Sequence, residues 1–234
     1  ALCFDWWSSG WEQDVELFEE CFFQSEIADL ISGDSIDEDG QLQALEQFLS
    51  LLDYNVPLLA IPGNHEYKSG ESIKQLREVY ERYNGQLLIN ESKNVDLKGN
   101  RVVVTGMDDL LEGEPDLGKA VEGIGKEMIH FMLIHSPKHQ ESIKKQLKLI
   151  NDGRPPEEQL NITYLFAGHN HGGQVAIGDY APVLPAKAGN YRQGWYNDQP
   201  PYLYLAQGFG TSALPIRFMA RAAMNVFDYY APGS

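Results

Sequence analysis

Apolar residues recur along this chain in two periods, and the alternation between the periods is its first legible feature. Leu42, Leu45, Phe48, Leu49 and Leu52 share one face at helical spacing, predicting a helix over Gly40–Tyr54. Ile73, Leu76, Val79 and Tyr80 do the same over Gly70–Asn84, as do Val15, Leu17, Phe18, Cys21 and Phe22 over Asp14–Glu26. Pro137–Ile150 reads as a Lys-rich amphipathic helix. Between these lie short apolar runs, Ile27–Ser32, Val56–Ile61, Met128–Ile134 and Ile162–Ala167, of strand length. Gln86–Asn90, Val95–Leu97 and Arg101–Thr105 read as shorter strands broken by turn residues such as Gly99-Asn100, and Gln174–Ile177, Tyr202–Ala206 and Met224–Tyr229 as strands in a Gly-, Pro- and Tyr-rich remainder. The pattern is that of an α/β protein. No internal repeat or long linker interrupts it, so one domain over residues 1–234 is expected. Ala1 opens directly into apolar residues, as though inside a strand, which predicts a segment upstream.

Polar residues cluster where the strands stop. Asp34, Asn64-His65, His135 and His169 each follow an apolar run. In layered α/β folds the loops at the carboxyl ends of strands converge on ligands, so these positions predict one shared site. Gly33-Asp34 alone is commonly only a turn. Gly63-Asn64-His65-Glu66 carries more information, because glycine permits a tight corner from which three polar side chains project. In Gly168-His169-Asn170-His171-Gly172-Gly173, two histidines at i and i+2 of an extended segment would face one side, within reach of one metal or an adjacent pair. A single histidine is ordinarily a core or surface residue; four of the six in this chain sit at strand ends beside these motifs.

Composition narrows the chemistry. Eighteen Lys and Arg against 34 Asp and Glu give a net charge of -16, which opposes nonspecific nucleic-acid binding because that draws on basic side chains. The same field repels an anionic substrate unless bound cations reverse it locally. Hydrophobic residues, 43% of the chain, supply a sizeable core, but no run approaches the roughly 18–20 apolar residues of a membrane-spanning helix. Cys3 and Cys21 make no disulfide framework and read as reduced strand or core residues.

Taken in order, Gly-Asp, Gly-Asn-His-Glu, a lone His after an apolar strand and Gly-His-Asn-His-Gly-Gly-Gln resemble the calcineurin-like metallophosphoesterase family. The last motif is similar to the Gly-His-Thr-His-Gly-Gly-Gln of its bacterial YkuE-like branch, as is the tail from Gly208 to Arg217. The resemblance implies a four-layer αββα sandwich of two mixed β-sheets flanked by helices, and two divalent ions of the Mn, Fe, Zn or Co type. It implies that Asp34 bridges the ions, that Asn64, His135 and His169 ligate the second, that His171 joins the first, and that His65 stands beside the leaving group. The implied reaction is hydrolysis of a phosphodiester or phosphomonoester by metal-activated hydroxide, with His65 as proton donor. The substrate would be a small-molecule or lipid-linked phosphoester, and the compartment stays open between cytoplasm and the periphery of a bacterial cell envelope.

The family's first motif is Asp-x-His. Here Asp5 stands 29 positions before Asp34, but Trp7 replaces the histidine, and an indole offers only an N–H donor. Three arrangements fit: a first ion held weakly by Asp5, Asp34 and His171; a centre with one firm ion; or an Asp5 that matches by accident. Second-site occupancy is therefore expected to be the firmer. The alternative function is a degenerate member that binds or scaffolds without turnover. Trp6, Trp7 and Trp11 would form an aromatic cap or a hydrophobic rim suited to a lipid-linked substrate. Tyr191, Trp195, Tyr196 and Tyr202 would line the mouth or pack as ordinary loop residues. Arg217 is compatible with a phosphate contact or an acidic partner near the C-terminus, while His130 and His139 read as a strand residue and a helix-surface residue. Asn90-Glu91-Ser92 and Asn161-Ile162-Thr163 match the glycosylation pattern, which has meaning only in a secreted eukaryotic protein.

Overall fold

The computed structural model describes residues 2–4, 28–37, 40–97, 99–177, 181–182, 184–211 and 216–229. Asp5, the three early tryptophans and the predicted Asp14–Glu26 helix lie outside them. Two mixed sheets form the centre. In the first, β1 (Leu2–Phe4), β2 (Asp29–Ile31), β3 (Leu58–Ala60) and β4 (Gly85–Leu87) run parallel in that order, and β11 (Asn225–Val226) pairs antiparallel outside β1. The second has the order β5 (Glu91–Leu97), β6 (Asn100–Gly106), β7 (His130–Ile134), β8 (Tyr164–Ala167), β10 (Tyr202–Leu205), β9 (Gly194–Tyr196), parallel from β6 to β10 with an antiparallel strand at each edge.

Side chains two apart on a strand share a face, and that rule sorts the core into three layers. Ile31, Leu58, Ala60 and Leu87 pack against Leu45, Phe48 and Leu49 of α1 (Leu42–Leu49) and Leu76, Val79 and Tyr80 of α3 (Ile73–Arg82), beyond a short α2 (Asn64–Lys68). Their neighbours Leu30, Leu59 and Ile61 face the other way and meet Val102, Val104, Phe131, Leu133 and Phe166 of the second sheet. On that sheet's outer face Met132, Ile134, Leu165 and Leu203 pack on Leu117 and Ala120 of α4 (Leu117–Ala120) and Ile143 and Leu147 of α5 (His139–Asp152). Helix, sheet, sheet, helix is the αββα order expected.

Several local readings change. The strand expected at Val95–Leu97 begins at Glu91, because seven residues pair in register with β6. Gln174–Ile177 forms no strand but a single bridge, Val175 to Phe218. Gly194–Tyr196 is an edge strand whose Trp195 packs on Tyr164, Tyr204 and Phe227, so the ordinary packing reading holds for that residue. His139 is 2% exposed, not a surface residue: it opens α5 on that helix's buried side, with Asp108 and Asp109 of the loop after β6 nearby. Asn90 is buried: its Oδ1 accepts from the Asp108 and Asp116 N–H groups and its Nδ2 donates to Glu114 O, so no sugar could be attached there without breaking this knot.

Candidate metal centre

Every predicted site residue within the described chain lies at the same end of the two sheets. Asp34 follows β2 and Asn64 follows β3, while His135 and His169 follow β7 and β8. Asp34, Asn64, His135, His169 and His171 are all buried. The Asp34 backbone is left-handed, with φ 51°, as are His169 at 75° and His171 at 46°. Such conformations cost non-glycine residues roughly 1–2 kcal/mol each and persist where the surroundings over-determine them.

Glu66 supplies much of that determination. Its buried carboxylate accepts from the N–H groups of Asp34 at 3.0 Å and Gly63 at 2.7 Å, and from Ser35 Oγ at 2.7 Å and the Ser35 N–H. One side chain thus stitches the loop after β2 to the loop after β3. Burial, then the charge of Asp34, pushes its pKa up, while the Ser35 and Gly63 donors and His135 oppose the rise. In the sequence Glu66 is one polar group among three at that corner. The available signal was its place as the third residue of a helix capped by Gly63, where a Glu side chain folds back onto the cap.

The tautomers at the centre follow from backbone carbonyls, which only accept hydrogen bonds. His135 Nδ1 lies 2.8 Å from Ser32 O and must donate to it, so in the neutral ring Nε2 carries the lone pair. His169 Nε2 lies 2.6 Å from Ala186 O, which leaves the lone pair on Nδ1. His135 Nε2 stands 3.0 Å from His169 Nδ1 and 3.1 Å from Asp34 Oδ2. Two imidazole lone pairs and a carboxylate oxygen therefore converge on one point, all within 4.8 Å of one another. Asn64 Oδ1, buried nearby in sequence order beside His65, has no hydrogen-bond partner. Converging acceptors and an orphaned amide oxygen fit a divalent cation, with the carbonyl bonds to Ser32 and Ala186 orienting the rings.

Charge states agree. Burial works to raise the Asp34 pKa, but the neighbouring histidines in their charged forms, His135 first and then His65 and His169, outweigh it and hold the carboxyl well below the usual range. Burial, reinforced by His135, lowers His169 to about 4, and burial with the Arg217 charge lowers His171 to about 3. Near neutral pH the carboxylate is anionic and these two imidazoles are uncharged, as ligation requires.

The two histidines of the last motif are not on an extended segment. The left-handed turns at His169 and His171, continued by Gly172 and Gly173, divide them: His169 meets His135, and His171 turns to Arg217. His65 lies at the rim, its N–H holding Asp34 Oδ1 at 3.0 Å, with Nε2 3.9 Å from Asp34 Oδ2 and Nδ1 3.7 Å from Asp37.

A calcineurin-like phosphoesterase family model matches residues 5–173. This chain belongs to that family. It is 26% identical to the uncharacterized metallophosphoesterase YkuE of Bacillus subtilis over 85% of its own length and 66% of YkuE, in keeping with the branch its motifs resemble. To YpbG of the same organism it is 22% identical over 94% of this chain and 76% of that one. The chain thus spans about two thirds of YkuE. Among solved structures, a Thermus thermophilus sulfate thiohydrolase, SoxB, aligns over 84% of this chain and 36% of its own, with 12% identity and a TM-score of 0.40. No helix among the described residues is long and apolar enough to cross a membrane.

Proposed function

We propose that this chain hydrolyses a phosphoester, a phosphodiester in preference to a monoester, at the carboxyl ends of its two sheets. The observation that supports the reading is the convergence of His135 Nε2, His169 Nδ1 and Asp34 Oδ2, with both ring tautomers fixed from behind by carbonyls. Asp34, Asn64, His135 and His169 would hold one divalent ion, and His171 with Asp34 and Asp5 a weaker second. A cation bound there supplies positive charge to phosphoryl oxygens and water acidified enough to act as nucleophile.

The remaining work falls to the chain itself. Glu66 keeps Asp34 in its left-handed conformation, and the Ser32 and Ala186 carbonyls stop the two rings from rotating. His65, at the rim beside Asp34, would give a proton to the departing alcohol oxygen, a reading its 3.9 Å approach to Asp34 Oδ2 supports. The net charge of -16 would repel an anionic diester elsewhere, so productive approach is confined to the cationic centre.

The test is metal content of the purified protein together with turnover of a chromogenic bis-aryl phosphate in Mn²⁺. At least one ion per chain and turnover reduced a hundredfold or more by His169→Ala are expected, with the circular dichroism spectrum retained. A protein that binds no metal and turns over no ester at any Mn²⁺ concentration would be a scaffold, and the proposal would be wrong.

A further inference from the structure

His171 has an unusual companion. Arg217 directs all five of its N–H donors at protein acceptors: Nε at Gly210 O, 2.6 Å; Nη1 at Ala220 O, 3.1 Å, and His171 O, 3.4 Å; Nη2 at Gln207 O, 2.9 Å, and His171 Nδ1, 3.4 Å. Clamped by four carbonyls, the guanidinium neither reaches outward for phosphate nor leaves the ring of His171. It is a permanent charge fixed in place.

Its consequence for His171 is chemical. A guanidinium can only donate, so Nδ1 accepts, and the proton of the neutral ring sits on Nε2. Nitrogen in that state has no lone pair for a metal. His171 could ligate through Nε2 only by giving up that proton or by losing its bond to Arg217, and a divalent ion on the ring would also face the guanidinium charge across it. The contrast with His135 and His169 is direct, because there carbonyls, which are uncharged acceptors, leave a lone pair aimed into the centre. The sequence points the same way, since Trp7 removes the other histidine expected on that side.

Building on the phosphoesterase reading, we infer that Arg217 is a built-in cation that competes with the second metal ion for His171. The centre then holds one ion tightly at Asp34, Asn64, His135 and His169, while Arg217 supplies the positive charge on the other flank. His171, with its proton on Nε2 and a cation behind it, is a hydrogen-bond donor to an anionic oxygen. Arg217 is a positioning residue, acting through His171.

Calorimetric titration of the metal-free protein with Mn²⁺, read alongside the EPR of bound Mn²⁺, tests this without recourse to activity. Wild type should take up one tight equivalent, abolished by Asp34→Asn, and a second at least tenfold weaker. Arg217→Gln should tighten the second equivalent at least tenfold, and His171→Ala in that background should remove the gain. Two equivalents within threefold of each other in wild type, or a second equivalent unmoved by Arg217→Gln, would overturn the inference. If Arg217→Gln does not fold, the ¹⁵N spectrum of wild-type His171 decides: the Nε2–H tautomer supports the proposal and the Nδ1–H tautomer refutes it. Loss of the first equivalent alone would count against the phosphoesterase reading, not against Arg217.

Discussion

A methyl group added at Gly63 should cripple the centre while leaving the fold standing. Gly63 caps α2 at φ -107°, a conformation any residue adopts, so Gly63→Ala introduces no backbone strain. Its effect is contact alone. The new Cβ would stand 2.3 Å from Asp34 Oδ1, 2.6 Å from the Asp34 N–H nitrogen and 2.7 Å from His135 Cε1, where real Cβ atoms do not approach within 3.0 Å. Relieving the closest contact requires the Asp34 carboxylate to move by about 0.7 Å, and the neighbouring atoms are backbone and a wedged ring with little room to give. Overpacking of this kind costs roughly 1–3 kcal/mol of stability. The larger effect is on geometry, because a misplacement near 1 Å can lower turnover ~100-fold. The displaced oxygen is also the one that accepts from the His65 N–H, so the proton donor moves with the ligand. Urea denaturation, Mn²⁺ titration and turnover of a bis-aryl phosphate should be compared with Gly125→Ala, whose Cβ meets nothing within 4 Å and should leave all three unchanged. Metal affinity within twofold of wild type and turnover within threefold would show that the two loops slide past each other freely, and the account of a rigidly packed corner would fail.

Other outcomes can be checked more briefly. His130, fully buried and bonded to Thr105 Oγ1, has its pKa lowered by burial to about 4, so the unfolded chain binds the extra proton between there and pH 6.5. Its share of the stability, about 3 kcal/mol, should therefore be lost as pH drops from 6.5 to 4, and His130→Leu should make that limb of the urea midpoint against pH shallower, while the similarly buried His139, His169 and His171 keep part of the slope. Phe48→Ala, in the layer between the first sheet and its helices, should cost about 3–5 kcal/mol by chemical denaturation with metal affinity unchanged. Adding Mn²⁺ at a hundred times its dissociation constant should stabilise the protein by about 2.7 kcal/mol, visible as a raised melting temperature that EDTA reverses; a melting temperature indifferent to both would argue against the folded-state site.

Much of this architecture was legible because periodicity and polarity changed together. Leu42 to Leu52 and Ile73 to Tyr80 announced the helices that cover the first sheet, and the apolar runs before Asp34, Asn64, His135 and His169 announced strands whose ends meet. What escaped was set by tertiary contacts. Gly194–Tyr196 is a strand because β10 offers it an edge, and nothing local in Gly-Trp-Tyr says so. His139 heads a Lys-rich helix yet is buried, since only the docking of α5 decides which residues of its first turn are covered. Glu66 reads as one of three polar side chains projecting from the Gly63 corner, but its carboxylate is consumed by the backbone of the neighbouring loops. Arg217 lies 46 positions from His171, a pairing invisible to any spacing rule.

The placement of the centre ties it to the docking of the two sheets. Asp34 and Asn64 hang from one sheet, His135 and His169 from the other, and between the sheets lies the apolar layer of Leu30, Leu59, Phe131 and Leu133. An ion gripped by all four is a bolt through the seam. A loop that frayed would leave the ligands of the other sheet in place. An ion held so would couple the two sheets, and its arrival during folding would lock in a docking that the apolar layer begins.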